Sequence, residues 1–181
     1  ANLKTILKQI KQIENLVNEF SDFARMPKPL VKKNDLIKVL NENIELLKKV
    51  DETIKFRIIN KIGKDVIINF DNEQFNRLFF NLIKNSIESI KEKVKKTSKS
   101  LKNIDIEINQ RRDYITINLI DTGEGFKDKK TKDIIKPYYT TKKEGTGLGL
   151  SIVDKIINDH NGSIKFLNTN NGAKVQIIIP K

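Results

Sequence analysis

The chain has 181 residues, of which 38% are apolar and 32% charged, so it holds enough apolar surface for one core and at most a short appendage. It lacks cysteine and has one histidine, which excludes disulfide scaffolds, cysteine nucleophiles and Cys/His zinc sites. A net charge of +12 from 35 basic and 23 acidic residues raises the question of nucleic acid, but the lysines are spread evenly without interleaved aromatics, so no specific nucleic-acid surface is expected.

The first 26 residues predict one long helix. Leu3, Ile6, Ile10, Ile13, Val17, Phe20 and Ala24 step by alternating threes and fours, and Leu7, Leu16 and Phe23 widen the stripe as in a helical bundle. Pro27 and Pro29 end it. The seam reaches the first residues, so the helix is expected to pair with a bundle partner outside this sequence. Asn34 or Asp35 is placed to cap a second helix carrying Leu36, Ile37, Leu40, Ile44, Leu47 and Val50. Strands are expected at 54–59 and 66–70. Asp71 opens a long helix with Phe75, Leu78, Phe79, Leu82, Ile83, Ser86, Ile87 and Ile90 inward, and residues 91–102 form its solvated end and a loop.

Alternating strands follow at 104–108 and 115–119. Four of the eight glycines fall in 122–147, a long functional loop. A helix at about 147–159 and strands at 163–168 and 173–179 complete the chain, with turns at Asn161-Gly162 and Asn171-Gly172. Mixed elements without regular βαβ alternation predict an α+β, two-layer α/β sandwich with one mixed sheet.

Three clusters carry chemistry. Gly145-Thr146-Gly147-Leu148-Gly149 opens a helix, where free N–H groups and the helix dipole favour a phosphate, with Lys142 or Lys143 as counter-charge. Asp121 ends a strand ahead of Gly123 and Gly125; a partly buried carboxylate there suits an exocyclic amine, as adenine offers, and an Asx-turn is the plainer alternative. Asn81 and Asn85 share one helix face, and an amide oxygen suits Mg²⁺, which keeps several waters and takes substrate phosphates as further ligands.

In this order the clusters resemble the nucleotide-binding domain of histidine kinases, in the GHKL superfamily shared with gyrase, Hsp90 and MutL ATPases. Asn81 to Asn85 resembles the N box, Asp121 to Gly125 the G1 box, Pro137-Tyr-Tyr-Thr-Thr-Lys142 the F box and lid, and Gly145 to Leu150 the G2 box. The likeness covers about residues 30–181 and implies a Bergerat-type fold binding ATP and Mg²⁺. It implies Asn85 as the metal ligand, Asp121 on the adenine amine, Gly123 and Gly125 shaping that pocket, and Asn81, Thr141, Lys142, Gly145, Thr146, Gly147, Leu148 and Gly149 near the nucleotide.

At position 81 the superfamily's ATPases carry a glutamate, whereas Asn81 matches the histidine kinases; this argues against an ATPase switch, the alternative reading alongside a basic nucleic-acid module. Ile135-Lys136 departs from the family's usual Phe-Glu before Pro137. Asn18 to Pro29 is similar to nitrogen-regulation sensor kinases of the NtrY-like group.

The resemblance implies residues 1–29 as the second helix of a dimerisation hairpin and 30–181 as the catalytic domain. It further implies a homodimer through that hairpin, a response-regulator partner, and a cytoplasmic location with any membrane anchor in segments outside this sequence. No acceptor histidine is evident: His160 reads as a capping residue, and no residue is assigned as catalytic. The chain alone is not expected to phosphorylate itself.

Overall fold

The computed structural model describes residues 3–63, 65–97, 100–126, 131–140, 142 and 145–181, without the side chains of 15, 22, 131 and 132. Its elements in order are α1 (Leu3–Ala24), β1 (Lys32–Asp35), α2 (Leu36–Lys48), β2 (Lys55–Asn60), β3 (Ile67–Phe70), α3 (Asn72–Lys96), β4 (Asn103–Arg111), β5 (Tyr114–Asp121), α4 (Thr131–Ile134), α5 (Gly149–Asp159), β6 (Ser163–Asn168) and β7 (Ala173–Pro180).

Five strands form one mixed sheet in the order β2-β4-β5-β7-β6, with β2 and β4 parallel and every other pair antiparallel. Alternate residues of the central strands are buried: Ile104, Ile106 and Ile108 on β4, Ile115, Ile117 and Leu119 on β5, Val175, Ile177 and Ile179 on β7. Side chains alternate across a strand, so these residues share one face. The helices α2, α3 and α5 supply the opposing layer, with Leu36, Leu40, Phe75, Leu78, Phe79, Ile83, Val153 and Ile156 at full burial. Burying each such side chain contributes about 1.5–3 kcal/mol before conformational entropy is charged against it.

Beside this sandwich, β1 and β3 form a two-stranded antiparallel ribbon that the sequence did not suggest. Asp35 ends β1 and caps α2 by accepting the Ile37 N–H at 2.9 Å; Asn34 instead donates to the Phe70 carbonyl at 2.8 Å. Asp71 caps α3, accepting the Gln74 N–H at 2.9 Å on Oδ1 and the Leu30 N–H at 2.6 Å on Oδ2.

His160 caps the other end of this assembly. It is the C-cap of α5, and its Nε2 accepts the Asp71 N–H at 3.0 Å while Nδ1 lies 2.7 Å from the Ile156 carbonyl. A carbonyl accepts only, so Nδ1 carries the proton. The ring is buried against Phe75 at 4.9 Å between centroids, with both nitrogens engaged.

The long helix α1 ends at Ala24. Leu16, Phe23 and Met26 pack partly against the core, whereas Leu3, Ile6, Leu7, Ile10, Ile13, Val17 and Phe20 stay exposed.

Candidate nucleotide-binding site

Strand parity places Asp121. It continues the buried series 115, 117, 119 of β5, so the carboxylate at the strand's end is carried under α3 instead of into solvent. Oδ1 accepts the Gly123 N–H at 2.8 Å and the Ala173 N–H at 3.3 Å, and Oδ2 accepts the Ser86 hydroxyl at 2.9 Å. Burial raises the carboxyl above its ordinary value, opposed by these three hydrogen bonds and by the nearby Lys93 ammonium.

The loop after Asp121 is held just as closely. A Cβ on Gly172 would fall on the Asp121 carbonyl oxygen, and one on Gly123 would strike the Ser89 hydroxyl. Ser89 Oγ accepts the Glu124 N–H at 2.9 Å, and Lys93 Nζ donates to the carbonyls of Thr122 at 3.1 Å and Asn171 at 2.5 Å. Gly125, at φ +78°, lies where a Cβ would approach Asn168 Oδ1 to 2.9 Å; Asn168 bridges the backbone N–H and carbonyl of Phe126.

One turn earlier on α3, Asn81 and Asn85 face the start of α5. Asn81 Oδ1 is 3.0 Å from where a Cβ on Gly149 would stand, so the bare glycine lets α5 approach α3 at this point. The N-cap Leu148 makes no side-chain cap to α5, leaving the first N–H groups of that 11-residue helix for an anion. Ahead of it, Gly147 takes φ +73°, and a Cβ there would come within 2.5 Å of the Tyr138 carbonyl carbon. Thr146 Oγ1 donates to Glu19 of α1, and Phe20 stacks on Tyr138 at 6.3 Å.

Asn85 Oδ1 accepts Lys142 Nζ at 3.1 Å, and the same ammonium pairs with Glu88. The amide oxygen expected to face a cation therefore already has one beside it. Among the described residues no cluster of three His, Asp or Glu side chains could hold a metal ion. A divalent ion at Asn85 would accordingly need phosphate oxygens and water as its other ligands, as suits Mg²⁺. A cavity of about 470 Å³ at the end of β5 is lined by Ile120, Asp121, Thr122, Thr169, Asn170 and Asn171 and includes none of the asparagines of α3 or glycines 145–149.

The structure thus brings Asn81, Asn85, Asp121, Gly123, Lys142, Gly145, Thr146, Gly147, Leu148 and Gly149 around α3 and the start of α5, and holds Gly125 instead against Asn168 and Gly172 of the β6–β7 turn. Thr141 and Lys143 lie outside the described residues. Ser86, Ser89, Glu88, Lys93 and Gly172 were not read from sequence as site residues. Ser86 carried a usable signal: it is the one hydroxyl among the buried residues of α3, which apart from Gln74 are otherwise apolar, and a buried hydroxyl requires a partner.

Architecture and clustered loops together are those of a histidine-kinase catalytic domain. The profile described as "Histidine kinase-, DNA gyrase B-, and HSP90-like ATPase" matches residues 70–181, and the chain belongs to that family. It is 32% identical over 161 residues to nitrogen regulation protein NtrY of Azorhizobium caulinodans, covering 89% of this chain and 20% of that protein. With a putative NtrY-like sensor histidine kinase of Rickettsia bellii it shares 32% over 173 residues, 96% of this chain and 27% of that protein. The chain therefore spans between a fifth and a third of these relatives' length. Among solved structures, the catalytic domain of histidine kinase ThkA superposes with a TM-score of 0.72 at 26% identity, covering 83% of this chain and 95% of that one. Full-length ShkA in complex with AMPPNP shares the fold at a TM-score of 0.79 and 19% identity over 97% of this chain and 37% of that one. The α/β sandwich and the sensor-kinase resemblance read from sequence are both borne out.

Proposed function

We propose that this chain is the ATP-binding catalytic domain of a two-component sensor histidine kinase of the nitrogen-regulation type, residues 30–181, joined to the second helix of its dimerisation hairpin, residues 1–29. Its reaction is transfer of the ATP γ-phosphoryl to a histidine supplied by another segment, and from there to an aspartate of a response regulator. The hairpin would make the whole protein a homodimer. A cytoplasmic position suits both exchanges, with any membrane attachment made elsewhere; among the described residues no helix is long and apolar enough to cross a membrane.

One observation supports this reading: adjoining faces of α3 meet both the start of α5 and the buried Asp121. Asn81 and Asn85 meet the uncapped start of α5, and Ser86, next in sequence, meets the buried Asp121. Asp121 would take the adenine amine, flanked by Gly123 and Gly125. The backbone of Gly145, Thr146, Gly147, Leu148 and Gly149 would hold phosphates, with Thr141 and Lys142 beside them. Asn85 would ligate Mg²⁺, whose contribution is to neutralise phosphate charge. Phosphoryl transfer depends mainly on positioning and charge stabilisation, and these residues provide both. His160 is not the acceptor, because it is buried with both ring nitrogens bonded.

Calorimetric titration with ADP and Mg²⁺ tests the reading. Saturable one-to-one binding, weakened at least tenfold by Asp121→Asn, is expected, together with negligible self-labelling from γ-labelled ATP. No binding heat, or acid-labile label on this chain alone, would contradict it.

A further inference from the structure

The Asp121 carboxylate is not symmetrically loaded. Oδ1 receives two backbone donors, Gly123 and Ala173, which the exit turn of β5 and the start of β7 fix in place. Oδ2 receives one donor among the described residues, the Ser86 hydroxyl at 2.9 Å. A carboxylate offers about four lone-pair sites, so the remaining acceptor capacity lies on Oδ2, the oxygen that Ser86 holds. A hydroxyl has a single proton, and here Asp121 takes it. Ser86 also follows directly on Asn85, so one turn of α3 sets both the proposed cation ligand and the partner of the base-binding carboxylate.

We propose that Ser86 is a positioning and specificity residue for the purine: its hydroxyl fixes Oδ2 of Asp121 as an acceptor toward the base edge, so that a base bearing an exocyclic amine is taken and one bearing a carbonyl is refused. The proposal rests on reading Asp121 as the adenine-binding group. Two further features support it. The carboxylate torsion is broad and two-fold, so only a donor on each oxygen pins its orientation. Ser89 and Lys93, on the same face of α3 at the next two turns, independently hold Glu124, Thr122 and Asn171. Removing the Ser86 hydroxyl would therefore loosen the carboxylate while its loop stays gripped. Burial, which favours the protonated carboxyl, adds to the effect, since a proton on Oδ2 would turn an acceptor into a donor.

The test is calorimetry of the whole chain in Mg²⁺ with ADP, GDP and purine riboside diphosphate, which has hydrogen in place of the amine. Wild type is expected to prefer ADP to both. In Ser86→Ala, ADP affinity should fall about tenfold while purine riboside diphosphate changes less than about twofold, so the preference is lost. Ser86→Thr should restore it, and Ser86→Cys, with a weak donor of similar size, should fall between; the cysteine variant carries the test if the alanine variant does not fold. An unchanged ratio of ADP to purine riboside diphosphate in Ser86→Ala or Ser86→Cys, or equal weakening of both nucleotides in these variants, overturns the role of Ser86. Equal binding of these two nucleotides by wild type would instead overturn the role of Asp121 itself.

Discussion

Lys142 Nζ lies 3.1 Å from the amide oxygen of Asn85, while its other partner is the Glu88 carboxylate. The ammonium thus occupies the surroundings of the oxygen proposed for a divalent ion. If Asn85 is the protein's contact to that ion, its removal should abolish the benefit of the metal. Chelating Mg²⁺ is expected to weaken ADP binding to wild type several-fold and to leave Asn85→Ala unchanged, as read by calorimetry with and without EDTA.

Asp121 makes nucleotide affinity and stability respond to acid in opposite directions. Its carboxyl is raised in the folded chain, chiefly by burial, so between the ordinary value of 3.8 and the raised one the folded state binds more protons than the unfolded state. Its contribution to stability is therefore fully present below the ordinary value and is lost as pH rises through the raised one. Asp51 shifts the other way through its hydrogen bond with Thr53, but it is common to both chains and cancels from a difference. Relative to Asp121→Asn, wild type should gain stability in urea melts as pH falls through this window. Its ADP affinity should fall over the same range, because protonation removes an acceptor.

Two glycines separate the site from the fold. Gly147 adopts φ +73° next to the Tyr138 carbonyl, in a segment outside the sheet. Gly147→Ala should cost about 1–2 kcal/mol of backbone strain there, weaken ADP at least tenfold and leave the melting temperature within a few degrees. Gly172 sits against the Asp121 backbone at the β6–β7 turn, where an added Cβ forces the two strand ends apart. Gly172→Ala should lower both affinity and stability, the latter by about 1–3 kcal/mol.

The exposed seam of α1 should control association alone. Ile10 and Ile13 stand on the outer stripe, away from the Leu16, Phe23 and Met26 side that packs against the core. Sedimentation of the whole chain is expected to depend on concentration, whereas Ile10→Asp combined with Ile13→Asp should sediment as a monomer and bind ADP as wild type does.

What was legible in the sequence is what local periodicity encodes. The alternation of β5 carries through to Asp121 and so predicts its burial, and Asp71 and Asp35 announce the starts of α3 and α2. The strand β1 was not legible: Lys32-Lys33-Asn34-Asp35 shows no apolar alternation, and its place beside β3 rests on backbone pairing and the Asn34 side chain. Nor was the Glu88–Lys142 pair, because 54 residues separate the partners and either charge alone looks like solvated surface. The Glu19–Thr146 contact spans 127 residues and joins two segments that periodicity treats separately.

Crystals of the whole chain grown with AMPPNP and Mg²⁺ at saturating concentration give the most direct test of the nucleotide site. The base amine is expected on Asp121, the divalent ion on Asn85, and the phosphates against the backbone from Gly145 to Gly149. A purine bound away from Asp121, or a closed gap between α3 and the start of α5 with no nucleotide in it, would contradict the assignment.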